Sequence, residues 1–494
     1  MFCWRCKVSR KRTFGFMRFM LLPTALLLFF STVTLAQSDA DQAPWPMPRP
    51  AQQAWHRMEY YWFAHFGPNT FTGAEWGTGR ERAQVFNPSQ FDARQWCRLA
   101  KEAGAKGIII TAKHHDGFCL WPSRYSKHTV RESNWKNGQG DVLKELSTAC
   151  REYGLKFGVY LSPWDRNHPA YGTPGYNLIF ASMLKEIFQQ YGPIWELWWD
   201  GANGEGRNGK KQEYDWDLFR NTVKRLSPST LIFSDIGPDI RWVGNEKGVA
   251  GTTNWNTLDI EGFSAGYGAP PSDTLSSGNK YGAYWIPAEC DVSIRPGWFW
   301  RQSENSKVKS PETLFQLYLK SVGRGANLLL NVPPNNKGLI DPADSAALMG
   351  FASLRAKSFG HNLIRRSKVS IVADDEKKSA RYLQDDNVTT STSVLDSSDQ
   401  ITVQLLWPSN INCISLQEEL SEGQACSQFT VSLIDKNGKL IKSIDGTTIG
   451  TKRLLTFSTV KVQTILVKIK EQKAPVKLAE IGLYLLDEKL IEKK

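Results

Sequence analysis

The run Trp195-Glu196-Leu197-Trp198-Trp199-Asp200-Gly201 decides the fold. Three tryptophans within five residues make a stiff aromatic segment that favours β structure. The stretch behind it, with Gly201, Asn203, Gly204, Gly206, Asn208 and Gly209, cannot prolong a strand. The run therefore predicts a buried strand with a carboxylate at its C-terminal end. In barrels that alternate strands with helices, that end carries catalytic side chains, held rigidly under variable loops. Asp200 is accordingly the first candidate for chemistry. An Asp that merely caps a turn before glycine is the competing structural explanation.

Working outward, short apolar runs alternate with amphipathic stretches from about residue 57 to 360, the pattern of a parallel sheet with crossover helices. Strands are predicted at residues 60–66, 107–111, 157–161, 195–199, 231–234, 284–286 and 328–332, with the sixth expected within 249–259. Helices are predicted around Trp96, Leu99 and Ala103 after a cap at Ser89, and around Leu143, Leu146 and Cys150 after Asp141. No GxGxxG opens a helix after the first strand, so an α/β chain with a (β/α)8-like barrel over residues 50–360 is favoured over a doubly wound sheet. Beyond about residue 366 Trp becomes rare and short alternating runs appear at 401–406, 429–434, 454–457 and 462–469. Residues 366–494 are read as an all-β sandwich domain, with a hairpin turn at Asp435-Lys436-Asn437-Gly438.

At 494 residues two or three domains are expected. Residues 1–36 read as a signal peptide: Arg5, Lys7, Arg10, Lys11, Arg12 and Arg18 precede an apolar run over 19–30 and a cleavage site at Thr34-Leu35-Ala36. The run is shorter than the roughly 20 residues of a spanning helix, so export to a periplasm or the medium is expected rather than a membrane anchor. Removing the leader takes six basic residues and no acids, so the formal charge of +12 falls to about +6. No basic face is concentrated enough for a nucleic-acid partner. Six cysteines remain after the leader, without a CxxC pair, so zinc spacing is absent. Cys413 and Cys426 are close enough in sequence to close a short loop as a disulfide.

Most candidate strands end in a polar or aromatic cluster, the distribution that one pocket at one barrel face requires. The first ends in His65-Phe66-Gly67-Pro68-Asn69, with Glu75-Trp76 soon after. The second ends in Lys113-His114-His115-Asp116, the third in Tyr160 and Ser162-Pro163-Trp164-Asp165, and the fourth in Asp200. Three of the seven histidines thus lie at two strand ends. A metal is disfavoured, because adjacent His114 and His115 point to opposite sides of a regular strand and no HxH or HExxH occurs. No cofactor is expected. The 19 tryptophans, several at strand ends and loops, suggest a sugar, whose C–H faces suit indoles and whose hydroxyls suit imidazoles and carboxylates; about half are read as core packing. Glycoside hydrolysis commonly needs two carboxyl groups, one ionised and one able to protonate the leaving oxygen. Asp200 fills the first role; Glu246 and Glu289, each in an aromatic, glycine-bearing segment, are equal candidates for the second.

Together these residues resemble glycoside hydrolase family 29, the α-L-fucosidases, over roughly residues 55–360. The resemblance rests on Trp62-Phe63-Ala64-His65-Phe66-Gly67-Pro68-Asn69, Glu75-Trp76, Ala112-Lys113-His114-His115-Asp116-Gly117-Phe118, Gly158-Val159-Tyr160, Leu197-Trp198-Trp199-Asp200-Gly201 and Asn327-Leu328-Leu329-Leu330-Asn331-Val332-Pro333-Pro334. The segments from Arg241 to Glu246 and from Asp291 to Trp298 resemble the subgroup acting on α-1,3- and α-1,4-linked fucose. The resemblance implies a retaining mechanism with Asp200 as nucleophile and Glu246, in preference to Glu289, as acid/base. It also implies that His65, Glu75, Trp76, His114, His115, Tyr160, Trp198 and Arg241 bind the fucose of a glycan substrate, and it likens the tail to galactose-binding-like sandwiches. A fucose-binding protein without turnover, a fucosidase of broader linkage range and a metal-dependent hydrolase are the alternatives.

Overall fold

The computed structural model describes residues 46–265, 267–372, 380–392 and 399–491; the proposed leader over 1–36 lies outside them. The first ten strands are β1 (Tyr60–Ala64), β2 (Gly107–Lys113), β3 (Lys156–Leu161), β4 (Glu196–Trp198), β5 (Leu231–Ser234), β6 (Ile240–Trp242), β7 (Thr257–Leu258), β8 (Tyr284–Trp285), β9 (Ala288–Ser293) and β10 (Asn327–Asn331). Eight of them close a parallel barrel in the order β1-β10-β9-β6-β5-β4-β3-β2, while β7 and β8 pair antiparallel outside it. The expected barrel is present.

Two strand positions differ from expectation. The sixth barrel strand is β6 and not a segment within 249–259, because only five residues separate it from β5 and no helix crosses between them. The 284–286 run forms β8 off the barrel, and β9 takes the seventh place. The helix Ala93–Glu102 is capped by Asp92, whose carboxylate accepts from the Arg94 and Gln95 amides, rather than by Ser89. Asp141 caps Val142–Tyr153 as its sequence suggests, accepting from the Lys144 amide.

Strand alternation divides the core. Tyr61, Phe63, Ile109, Tyr160, Trp198, Phe233, Ile240 and Leu329 fill the lumen, while Tyr60, Trp62, Ile108, Ile110, Val159, Leu197, Ile232, Leu328 and Leu330 pack outward in the large core beneath the helices. Continued past the strand ends, the same period of two carries His65 above Phe63, Asp200 above Trp198 and Asp291 above Glu289.

The chain continues through β11 (Ser367–Val372), β12 (Gln400–Glu418), β13 (Cys426–Ile434), β14 (Leu440–Gly446), β15 (Arg453–Gln472) and β16 (Leu478–Tyr484). They form one antiparallel sheet, β11-β12-β15-β13-β14, with β16 also on β12. The two runs expected at 454–457 and 462–469 are one strand, β15, whose pairing with β12 shifts register between them. The Asp435 to Gly438 turn is formed, with Gly438 at φ +81°. Cys413 and Cys426 are free and buried rather than bonded, because β15 lies between their strands. This sheet sits directly on the barrel: Lys452 pairs with Glu59, and the Gln424 amide brackets Asn254 and Asn256.

Candidate active site

At the C-terminal mouth of the barrel a cavity of about 220 Å³ is lined by Phe63, His65, Glu75, Trp76, His114, His115, Tyr160, Trp198, Asp200, Ala202, Glu246, Asp291 and Trp298. That is below the roughly 300–1,000 Å³ of pockets for drug-sized ligands and suits a single sugar ring. Nearly every residue singled out from the sequence is here, contributed by five strand ends and three loops.

Asp200 leaves β4 on the lumen side and is oriented on both oxygens. Oδ1 accepts from the Ala202 amide at 2.8 Å, and Oδ2 accepts from the Tyr160 hydroxyl at 3.0 Å. Burial and the Asp200 charge push the Tyr160 phenol well above its ordinary value, so it stays a donor. Its ring lies between His114 (5.7 Å, 17°) and Trp198 (5.4 Å, 28°), and Trp198 in turn stacks on Phe233 (4.0 Å, 10°). A Cβ at Gly201 would collide with the Asp235 carboxylate, which would have to move. Asp235, which the sequence did not single out, is pushed up to about 6 by burial and by the Asp200 charge.

The three histidines are neutral and their tautomers are set by their partners. His65 falls to about 3 and His115 to about 4, both chiefly through burial, and His114 falls well below its usual value for the same reason. The Asn331 amide donates to Ser293 Oγ and the Trp298 carbonyl, which turns its Oδ1 toward His65 Nδ1 at 2.9 Å. His65 therefore carries its proton on Nδ1. Ser162 Oγ donates to the Trp164 carbonyl and so accepts from His115 Nδ1 at 2.8 Å. In both rings Nε2 is left as an acceptor; that of His115 lies 3.6 Å from Asp200 Oδ2. Such imidazoles accept hydroxyl protons without adding charge to the pocket.

Glu75 is committed to structure as well as to the cavity wall, since its carboxylate accepts from the Trp298 amide and from Arg301. It thereby holds Trp298 against His65, 5.0 Å between ring centroids. Trp76 is 54% exposed at the rim, edge-on to His115 and Trp164. Lys113 and Asp116 stay outside the cavity lining; Lys113 pairs with Asp165 in a fully buried ion pair of 3.3 Å.

Two more of the residues singled out from the sequence lie outside the cavity lining. Arg241 is not in the cavity: Ile240 and Trp242 face the lumen, so strand alternation turns Arg241 outward. There its guanidinium donates to the carbonyls of Leu275, Ile286 and Trp255 and to Asn254, and burial lowers it to about 9. Glu289 faces the lumen one layer below the cavity, accepting from Trp198 Nε1 at 2.9 Å and from the Tyr61 hydroxyl. Burial raises it, and the neighbouring Glu196 is raised well above its usual range by burial and by Glu289. Besides Glu75, which is tied up with Trp298 and Arg301, the carboxyl groups that share the cavity with Asp200 are Glu246, which is exposed, and Asp291, which is buried. The missed signal for Asp291 was the strand itself, since two residues beyond an inward-facing Glu289 the chain faces inward again.

Among the described residues no three His, Cys, Asp or Glu side chains are grouped to hold a metal ion, and no helix is long and apolar enough to cross a membrane.

A family model described as alpha-L-fucosidase matches residues 29–354. Alpha-L-fucosidase 1 of Arabidopsis thaliana is 37% identical over 479 residues, 94% of each chain. A solved glycoside hydrolase 29 family member from an unknown rumen bacterium superposes with a TM-score of 0.79 at 38% identity, over 90% of this chain and 78% of that one. A Ruminococcus gnavus GH29 fucosidase, solved in complex with fucose, superposes with a TM-score of 0.82 at 31% identity, over 90% and 96%.

Proposed function

The chain belongs to the α-L-fucosidases of glycoside hydrolase family 29, and we propose that it removes terminal α-1,3- and α-1,4-linked L-fucose from oligosaccharides or glycoconjugates with retention. It is a glycoside hydrolase. The observation that carries the mechanism is a single cavity holding an oriented Asp200 at the end of β4 and a solvent-accessible Glu246 on the loop after β6.

In the first step an Asp200 oxygen forms a bond to the anomeric carbon as the bond to the aglycone oxygen breaks, and the Glu246 carboxyl gives that oxygen its proton. In the second, water attacks the same carbon, Glu246 takes the water proton, and Asp200 leaves as carboxylate. The acceptor nitrogens of His65 and His115 fit sugar hydroxyls. His114, Tyr160, Trp198, Trp76 and Trp298 wall the ring, and Glu75 supports Trp298. Glu246 is exposed at the cavity, where an aglycone would leave. We assign catalysis to the barrel over residues 50–360 and treat 366–494 as a separate domain. The basic and apolar start of the chain supports export.

The test is a panel of linear and branched fucosylated oligosaccharides, using protein recovered from periplasm or medium whose first residue should lie near Gln37. Branched α-1,3- and α-1,4-fucosides should be cleaved in the presence of a chelator, while linear α-1,2-fucosides resist. Equal cleavage of α-1,2-fucosides contradicts the linkage assignment. Fucose binding by calorimetry without any release contradicts turnover.

A further inference from the structure

The loop bearing Glu246 leaves the barrel from β6, a three-residue strand whose outward side is held by the hydrogen bonds of Arg241. β6 pairs with β9 only through Arg241↔Ala288 and Trp242↔Glu289. The Val243 amide makes the last bond along this edge, to the Glu289 carbonyl at 3.0 Å; at Gly244 (φ +83°) the chain turns away, and Glu246 follows two residues later. Asn245 donates to the Val243 and Val249 carbonyls, which closes the loop on itself, and its far end returns to the barrel at Ala250, which packs with Ala288 and Cys290 and whose amide donates to the Lys320 carbonyl. On the lumen side the strand end is tied by Trp242, whose Nε1 donates to Asp291 Oδ1 at 2.8 Å. Asp291 is buried on β9 and lines the cavity beside Asp200 and Glu246. Burial, with the charges of Glu289 and Glu246, keeps its carboxyl well above the usual carboxylate range, so the acceptor is a neutral carboxyl group.

We propose that Asp291 is a positioning residue for proton transfer: by holding the Trp242 indole it fixes the end of β6, and with it the reach of Glu246 to the glycosidic oxygen. The inference rests on Glu246 being the acid/base. A displacement on the order of 1 Å at such a group is enough to cost about 10²-fold in rate. What is lost is acid placement, so the loss depends on the leaving group.

Asp291→Ala removes the acceptor, whereas Asp291→Asn keeps an oxygen for Trp242. On a fucosylated oligosaccharide, whose leaving group needs a proton, Asp291→Ala should lower kcat/KM at least about 30-fold and Asp291→Asn less than about threefold. On an aryl fucoside with an activated leaving group, Asp291→Ala should lose less than about fivefold. Should Asp291→Ala fail to fold, Trp242→Phe removes the same N–H from the other side and should show the same selectivity. Equal losses on both substrates, or an Asn variant as impaired as the Ala variant, overturn the inference. An unselective Glu246→Ala contradicts the acid/base assignment and this inference with it; a selective Glu246→Ala beside an unselective Asp291→Ala overturns this inference alone.

Discussion

Asp200→Gly is expected to lower kcat/KM on every α-fucoside by at least about 10⁴-fold, about 5.5 kcal/mol of transition-state stabilisation, while the fold survives. The size follows from the residue's setting. The Ala202 amide and the Tyr160 hydroxyl hold its two oxygens, and Tyr160 is itself fixed between His114 and Trp198, so the carboxylate needs no rearrangement before attack. The fold survives because β4 ends at Trp198 and its outward neighbours Leu197 and Trp199 remain buried. Azide entering the vacated space should attack an activated α-fucoside and yield the β-fucosyl azide, the anomer expected from a single displacement. Unimpaired hydrolysis by Asp200→Gly, checked on an aryl fucoside and an oligosaccharide, contradicts the nucleophile assignment.

Glu246→Ala should separate substrates by their leaving groups. General acid catalysis contributes about 10²–10⁴-fold, and that factor is needed only where the departing oxygen is a poor leaving group. An oligosaccharide should therefore lose about 10³-fold in kcat/KM, whereas an activated aryl fucoside loses little. Its kcat falls instead, because the second step lacks a base, and azide should restore turnover with the α-fucosyl azide as product. The two azide products have opposite anomeric configuration, which assigns the two carboxyl groups independently. If Glu289→Ala shows this pattern and Glu246→Ala does not, the roles are exchanged. The structure makes that exchange costly: Glu289 is occupied by Trp198 and Tyr61 below the cavity.

The parts of the fold that were legible are those where pattern and packing agree. β1 to β5 and β10 are apolar runs bounded by turn residues, and each was placed from the sequence. β6 was not, because three residues without a preceding helix carry no periodicity to detect. Asp200 could be read because a glycine-rich loop marks its strand end; the outward placement of Arg241 could not, because the strand that turns it was itself unseen. Asp291 and Asp235 depend on which way a strand faces and on what lies across the lumen, and a single segment does not contain that information.

The most direct measurement is covalent trapping. Wild-type protein is treated with a 2-deoxy-2-fluoro-α-L-fucosyl fluoride, which slows release of the glycosyl-enzyme, and the labelled peptide is mapped by mass spectrometry. One equivalent of fluorofucosyl group is expected as an ester on Asp200. A label on Glu246, Asp291 or another carboxylate, or turnover with inversion and no covalent adduct, would contradict it.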